Sequence, residues 1–257
     1  MTRVFRSLFL IINYKTLIVT ALAVCSSYVC FHLGLTAKFP DMLVGVAIVF
    51  PVVFSIGSAY TRRETALQRL SDFKGHAIAI YYATRDWSGK ESDLSDRCRS
   101  LIGEMKSLMG VMFRNKKLDE WQMNEKKMYD YFSRLSQLTM ELRVLGVQSG
   151  EVSRVSQYVS KMIIAFDNMK IIHNYRTPIT LRMYSKFFIY LFPVIYGPYF
   201  ASTFHEYNAH LEYVMPVLYS FILVSLDNIQ DHLENPFDEV GEDDIAINAD
   251  QTLRLID

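Results

Sequence analysis

Met42-Leu43-Val44-Gly45-Val46-Ala47-Ile48-Val49-Phe50-Pro51-Val52-Val53-Phe54-Ser55-Ile56-Gly57-Ser58-Ala59-Tyr60 holds no Asp, Glu, Lys or Arg over its whole length. As a helix at 1.5 Å per residue it reaches about 28 Å, close to the thickness of a hydrocarbon core. Gly45, Pro51 and Gly57 lie inside it, and membrane helices tolerate such residues better than soluble ones do. Arg62 and Arg63 close the apolar run on one side, and Pro40-Asp41 on the other. Upstream, Thr16 to Leu35 is a second charge-free run, 20 residues long. Arg3 and Arg6 ahead of it give the start of the chain the look of a signal peptide. The run is too long for a signal core, however, and no small-residue cleavage site follows it. The two runs are expected to form a pair of membrane spans joined by Thr36 to Asp41.

Beyond Arg63 the character changes. Charged residues return, and apolar residues recur at helical spacing: Leu135, Leu138, Leu142 and Leu145, then Val152, Val155, Val159 and Met162. This predicts amphipathic helices near 61–86, 93–113, 118–145 and 151–175. The breaks fall at Ser88-Gly89, at Arg114 to Lys117 and at Gly146 to Gly150. Phe187 to Phe204 is again charge-free, with Pro193 and Pro198 predicting a bent or broken helix. Tyr213 to Leu226 is a fourth run of only 14 residues, short for a lipid-facing span unless it is sheltered or extended through Asp227 and Asn228. The expected fold class is an all-α membrane protein of about four transmembrane helices and an aqueous helical region. Its parts are residues 1–60 with the first two spans, 61–186 as the aqueous region, 187–229 with the last two spans, and 230–257 as an acidic tail.

The totals agree with such a mixture. Hydrophobic residues are 51% of the 257-residue chain and charged residues 21%, with a mean hydropathy of +0.11. That is too apolar for an ordinary soluble domain and too charged for a chain made only of spans. Basic residues flank the first span (Arg3, Arg6, Lys15) and follow the second (Arg62, Arg63), whereas His205 to Glu212 carries none. The positive-inside rule then places both termini and the middle region in the cytoplasm, with Lys38 as a mild exception. Zero net charge implies no pull toward nucleic acid. Three cysteines, Cys25, Cys30 and Cys98, form no metal or disulfide pattern.

Catalytic chemistry finds little to stand on. His205-Glu206-Tyr207-Asn208-Ala209-His210 approaches the zinc-protease pattern, but its histidines are five apart rather than four. On a helix they would diverge by about 140°. No P-loop, nucleophile elbow or dinucleotide fingerprint is present, so no catalytic residue and no metal ligand is assigned. Two stretches stand out instead. In the second run Val46, Phe50 and Phe54 are spaced by four and share one helix face. Several copies around an axis would make stacked apolar rings that gate by excluding water. Aromatic edges also tolerate a passing anion. From spacing alone, packing between membrane helices is the ordinary use of such a stripe. The tail, Glu234-Asn235-Pro236-Phe237-Asp238-Glu239-Val240-Gly241-Glu242-Asp243-Asp244, clusters carboxylates behind a helix-ending proline. Such a cluster either binds a hard cation such as calcium or is a solvated acidic turn, and it lacks the ligand spacing of an EF-hand.

Together these stretches resemble the bestrophins. Asn235-Pro236-Phe237 followed by acids is similar to that family's tail signature. Val44 to Phe50, Phe54 and Ala59 to Arg62 resemble its pore helix, and Tyr175 to Pro178 through Gly197 to Tyr199 resembles a branch of bestrophin-like proteins. The order of two spans, an aqueous helical block, two more spans and the acidic motif also fits. The resemblance implies a homopentamer in a lipid bilayer around one central pore that passes small inorganic ions. Its hydrophobic neck falls on Val46, Phe50 and Phe54, or on Phe50, Phe54 and Ser58 if Pro51 matches a family proline. A second constriction falls on His173 or Thr177. In the tail motif only Asp243, with Glu242 beside it, matches a calcium-clasp acid, while Asp238 stands where the family has glycine and Val240 where it has a carboxylate. That departure leaves calcium as a possible rather than an expected cofactor. The function so implied is a chloride or small-anion channel, with Arg62 and Arg63 near the mouth. A rival of another class is a non-conducting membrane scaffold or sensor with a cytoplasmic helical interaction domain.

Overall fold

The computed structural model describes residues 13–37, 41–89, 93–114, 117–176, 178–203, 211–237 and 244–247. Every regular element among them is a helix: α1 (Tyr14–His32), α2 (Asp41–Trp87), α3 (Leu94–Arg114), α4 (Leu118–Val144), α5 (Ser149–Asn174), α6 (Ile179–Ile195), α7 (Gly197–Thr203) and α8 (Leu211–Glu234). They divide into two compact units. The first is Met1–Arg62 with Arg176–Glu234, and the second is Arg63–Tyr175 with Asn235–Asp257.

In the first unit α1 starts on a capping box. The Asn13 side chain accepts from the Lys15 and Thr16 backbone N–H groups, and Thr16 Oγ1 accepts from the Asn13 N–H. By length and composition α1 is the one helix among the described residues able to cross a bilayer. It keeps Leu17, Ile18, Leu22 and Val29 exposed while Val19 and Ala23 are buried. The core gathers Val19, Val52, Ile189, Phe192, Tyr196, Phe200, Leu223 and Val224. Gly197 permits a close approach at the α6–α7 junction. A Cβ placed there would meet the Ser26 hydroxyl and the Ser26 backbone carbon, the latter at 3.0 Å, so any side chain would push α1 away. Ser26 Oγ in turn donates to the Val194 carbonyl at 3.1 Å.

The second unit has a single large core. It includes Phe73, Ile80, Ile102, Met105, Met109, Met112, Phe113, Leu135, Leu138, Leu142, Val155, Val159, Met162 and Phe166. The heptad-like stripes predicted for α4 and α5 are buried, with one exception. Leu145, half exposed, is the C-cap of α4 rather than part of its stripe. Gly146 at φ 87° then turns the chain, donating to the Arg143 carbonyl, while Val147 donates to Leu142. Only a residue without a Cβ takes that left-handed conformation cheaply. Asn235 to Phe237 and Ile245 to Ile247 also belong here. Phe237, Ile245 and Ile247 enter the core, and the Ile245 N–H donates to the Pro236 carbonyl at 2.7 Å. Gly110 leaves room for this strand of tail, since its Cβ would lie 3.2 Å from the Ile247 carbonyl oxygen.

The element boundaries differ from expectation in three places. The helices expected at 42–60 and near 61–86 are one 47-residue helix, α2. Arg62 and Arg63 end an apolar run, but Thr-Arg-Arg-Glu-Thr-Ala has neither glycine nor proline to end a helix. The third apolar run begins its helix at Ile179, ahead of Phe187, and breaks at Tyr196 into α6 and α7, the broken form being one of the two that its prolines predict. The fourth extends from Leu211 to Glu234, stopping before Pro236, the residue expected to stop it.

Candidate functional site

The residues expected at the neck lie on α2, one helical turn apart. Val46, Phe50 and Phe54 are 53%, 59% and 57% exposed. The Phe50 and Phe54 rings meet edge to face with centroids 4.6 Å apart. Ser58 lies on the same exposed side, while Val52, Ser55 and Ala59 face inward. An unshielded stripe this apolar needs another partner, whether lipid, a second copy or a dry axial space.

A second feature of the first unit was not foreseen from the residues. The last two turns of α8 carry Asp227, Asn228, Gln230, Asp231 and Glu234, and all but Asp231 are almost fully buried. The start of α1 and the start of α6 close over them. Lys15 Nζ lies 2.8 Å from Asp231 and 3.8 Å from Asp227. Lys186 Nζ donates to Asp231 at 3.0 Å. Arg182 Nη1 donates to Glu234 Oε2 at 2.9 Å, and Asn13 Nδ2 to Asn228 Oδ1 at 2.8 Å. Arg182 and Lys186 are one turn apart, matching Glu234 and Asp231 on an antiparallel neighbour. Buried carboxylates are tolerable here because cations meet them directly. Arg62, at the end of this unit's part of α2, is coupled electrostatically to Glu234 and is repelled by Arg176. Arg63 instead pairs with its neighbour Glu64.

In the second unit the tail motif builds an aromatic cluster. Phe237 stacks on Phe113 with centroids 4.7 Å apart and planes 18° from parallel. Trp121 stacks on His173 at 4.7 Å and 9°. His173 Nε2 is also 3.2 Å from the Phe113 carbonyl oxygen. His173, one of two residues considered for a second constriction, is thus part of this cluster. Thr177, the other, lies outside the described residues, as do Glu242, Asp243 and the stretch from His205 to His210. Among the described residues no group of three or more His, Cys, Asp or Glu side chains is arranged to hold a metal ion.

No protein-family model matches the chain, and no curated protein matches it. Solved structures do. A bacterial bestrophin homologue from Klebsiella pneumoniae superposes with a TM-score of 0.79 at 16% identity, covering 95% of this chain and 96% of that one. A point variant of such a homologue from the same organism gives 0.80 at 16% identity, over 94% of this chain and 95% of the other. A structure described as that of a membrane protein gives 0.77 at 16% identity, over 95% and 98%. The chain has a bestrophin-like fold.

Proposed function

We propose that this chain, all-helical and bestrophin-like in fold, is the subunit of a homopentameric ion channel embedded in a lipid bilayer. Five copies of α2 surround the axis, and Val46, Phe50 and Phe54 line a hydrophobic neck that passes chloride or other small anions. Both termini and residues 62–186 face the cytoplasm, following the basic residues at the ends of the first two apolar runs. No covalent chemistry is involved.

The observation that carries the reading is the exposed stripe on α2. Phe50 and Phe54 are large, apolar and more than half exposed in the protomer, on a segment free of charge. Stacked rings of such side chains set a dry barrier, which an ion crosses partly dehydrated.

Flux into liposomes tests this. The purified protein, reconstituted with chloride and sodium varied independently, should carry a current that follows the chloride gradient. A current that follows sodium would keep the channel and reverse its selectivity. Sealed liposomes holding verified protein and passing neither ion would favour a non-conducting scaffold.

A further inference from the structure

The buried end of α8 holds more polar atoms than its ion pairs satisfy. Asp227 Oδ1, both amide atoms of Gln230 and Glu234 Oε1 are enclosed with no hydrogen-bond partner, and so is Arg62 Nε. Asp227, Gln230 and Glu234 are 2%, 1% and 3% exposed. At 3.6 residues per turn their side chains fall within about 60° of arc, so they form one continuous face two turns long. Nearly all buried polar groups in native proteins find a partner, either protein or ordered water.

We propose that this face of α8, together with the Arg62 guanidinium, holds a file of internal water molecules. The chemistry of the atoms selects the occupant. A metal ion needs acceptors alone, but Arg62 Nε and Gln230 Nε2 are donors. A bare anion needs donors alone, but Asp227 Oδ1, Gln230 Oε1 and Glu234 Oε1 are acceptors. Water offers both and is small enough for a seam between packed helices. Arg62 and Glu234 strengthen the argument. They carry opposite charges and act on each other electrostatically, yet the free donor of one is not bonded to the free acceptor of the other. One water that accepts from Arg62 Nε and donates to Glu234 Oε1 satisfies both. Further waters along the face would satisfy Gln230 and Asp227. This inference does not depend on conduction, because it concerns the wall of the first unit and not its exposed α2 stripe.

A cryo-EM map of the full chain in lipid nanodiscs, sharp enough to show ordered water, tests it. Separate density peaks are expected within hydrogen-bonding distance of Arg62 Nε, the Gln230 amide, Asp227 Oδ1 and Glu234 Oε1. A dry seam in which these atoms bond protein groups would overturn the proposal, as would a single peak ringed by oxygens at cation distances. Where the map does not resolve water, Gln230→Met decides, since it keeps length and flexibility and removes only polarity. A lowered thermal midpoint is expected because the waters lose their partner. An unchanged or raised midpoint would show that Gln230 was held dry.

Discussion

Lys106 on α3 is fully buried, and its amine carries a cost that pH can reveal. Burial, with Lys74 adding repulsion, pulls its pKa down from 10.5 to about 8. The unfolded chain therefore binds the proton more tightly, and stability rises with pH between those two values. Below pH 8 the whole cost is present. Above 10.5 it is gone. Lys106→Met, close in length and uncharged, should melt higher than the natural protein at pH 7, and the gap should close as pH rises toward 10.5. Thermal melts at a series of pH values check this, and a gap independent of pH would show that the lysine's charge is already compensated. Position 106 falls on the apolar face of α3 by its spacing, so its burial was legible in principle. The partners of Lys15 and Asn13, by contrast, lie more than 200 residues away in sequence. Periodicity carries no information on which distant charges meet. The signal available was the i, i+4 pair Arg182 and Lys186 ahead of an apolar run, with acids trailing another.

At the scale of elements, hydrophobic period located most helices to within a few residues, because each buries one face against a core and its spacing records that face. The ends were harder to read. Charges at Arg62 and Arg63 mark where apolar sequence stops, whereas helix ends need a cap, a glycine or a proline, so α2 runs on to Trp87. The tail motif was legible as a motif but not as packing. Acidic composition suggests a solvated segment, yet Phe237 is 1% exposed and stacked on Phe113. Phe237→Ala should cost roughly 3–5 kcal/mol, the range for a buried phenylalanine whose site does not collapse. The thermal midpoint of the full chain should fall by several degrees. Phe237→Leu, which keeps most of the volume, should recover much of the loss. An unchanged midpoint in the Ala variant would mean that the tail contributes nothing to that core.

Across the whole molecule, a bestrophin-like fold at 16% identity shows how little of an architecture resides in particular residues. Two charge-free runs, an amphipathic block, two further runs and a motif were enough to suggest it. The α2 stripe is the part of the site that spacing made visible, and its role depends on what covers it in the assembly. If Phe50 and Phe54 ring a pore, replacing both with Ala widens the neck and hollows out no packed core, so the assembly should survive. If they pack between helices, each loss leaves a cavity costing roughly 3–5 kcal/mol, and assembly should suffer. The decisive measurement is therefore anion flux through the Phe50→Ala/Phe54→Ala double variant in liposomes, taken with its mass in mild detergent. The account predicts a higher flux or leak from an intact pentamer. Unchanged flux with reduced assembly would contradict it and assign the stripe to packing.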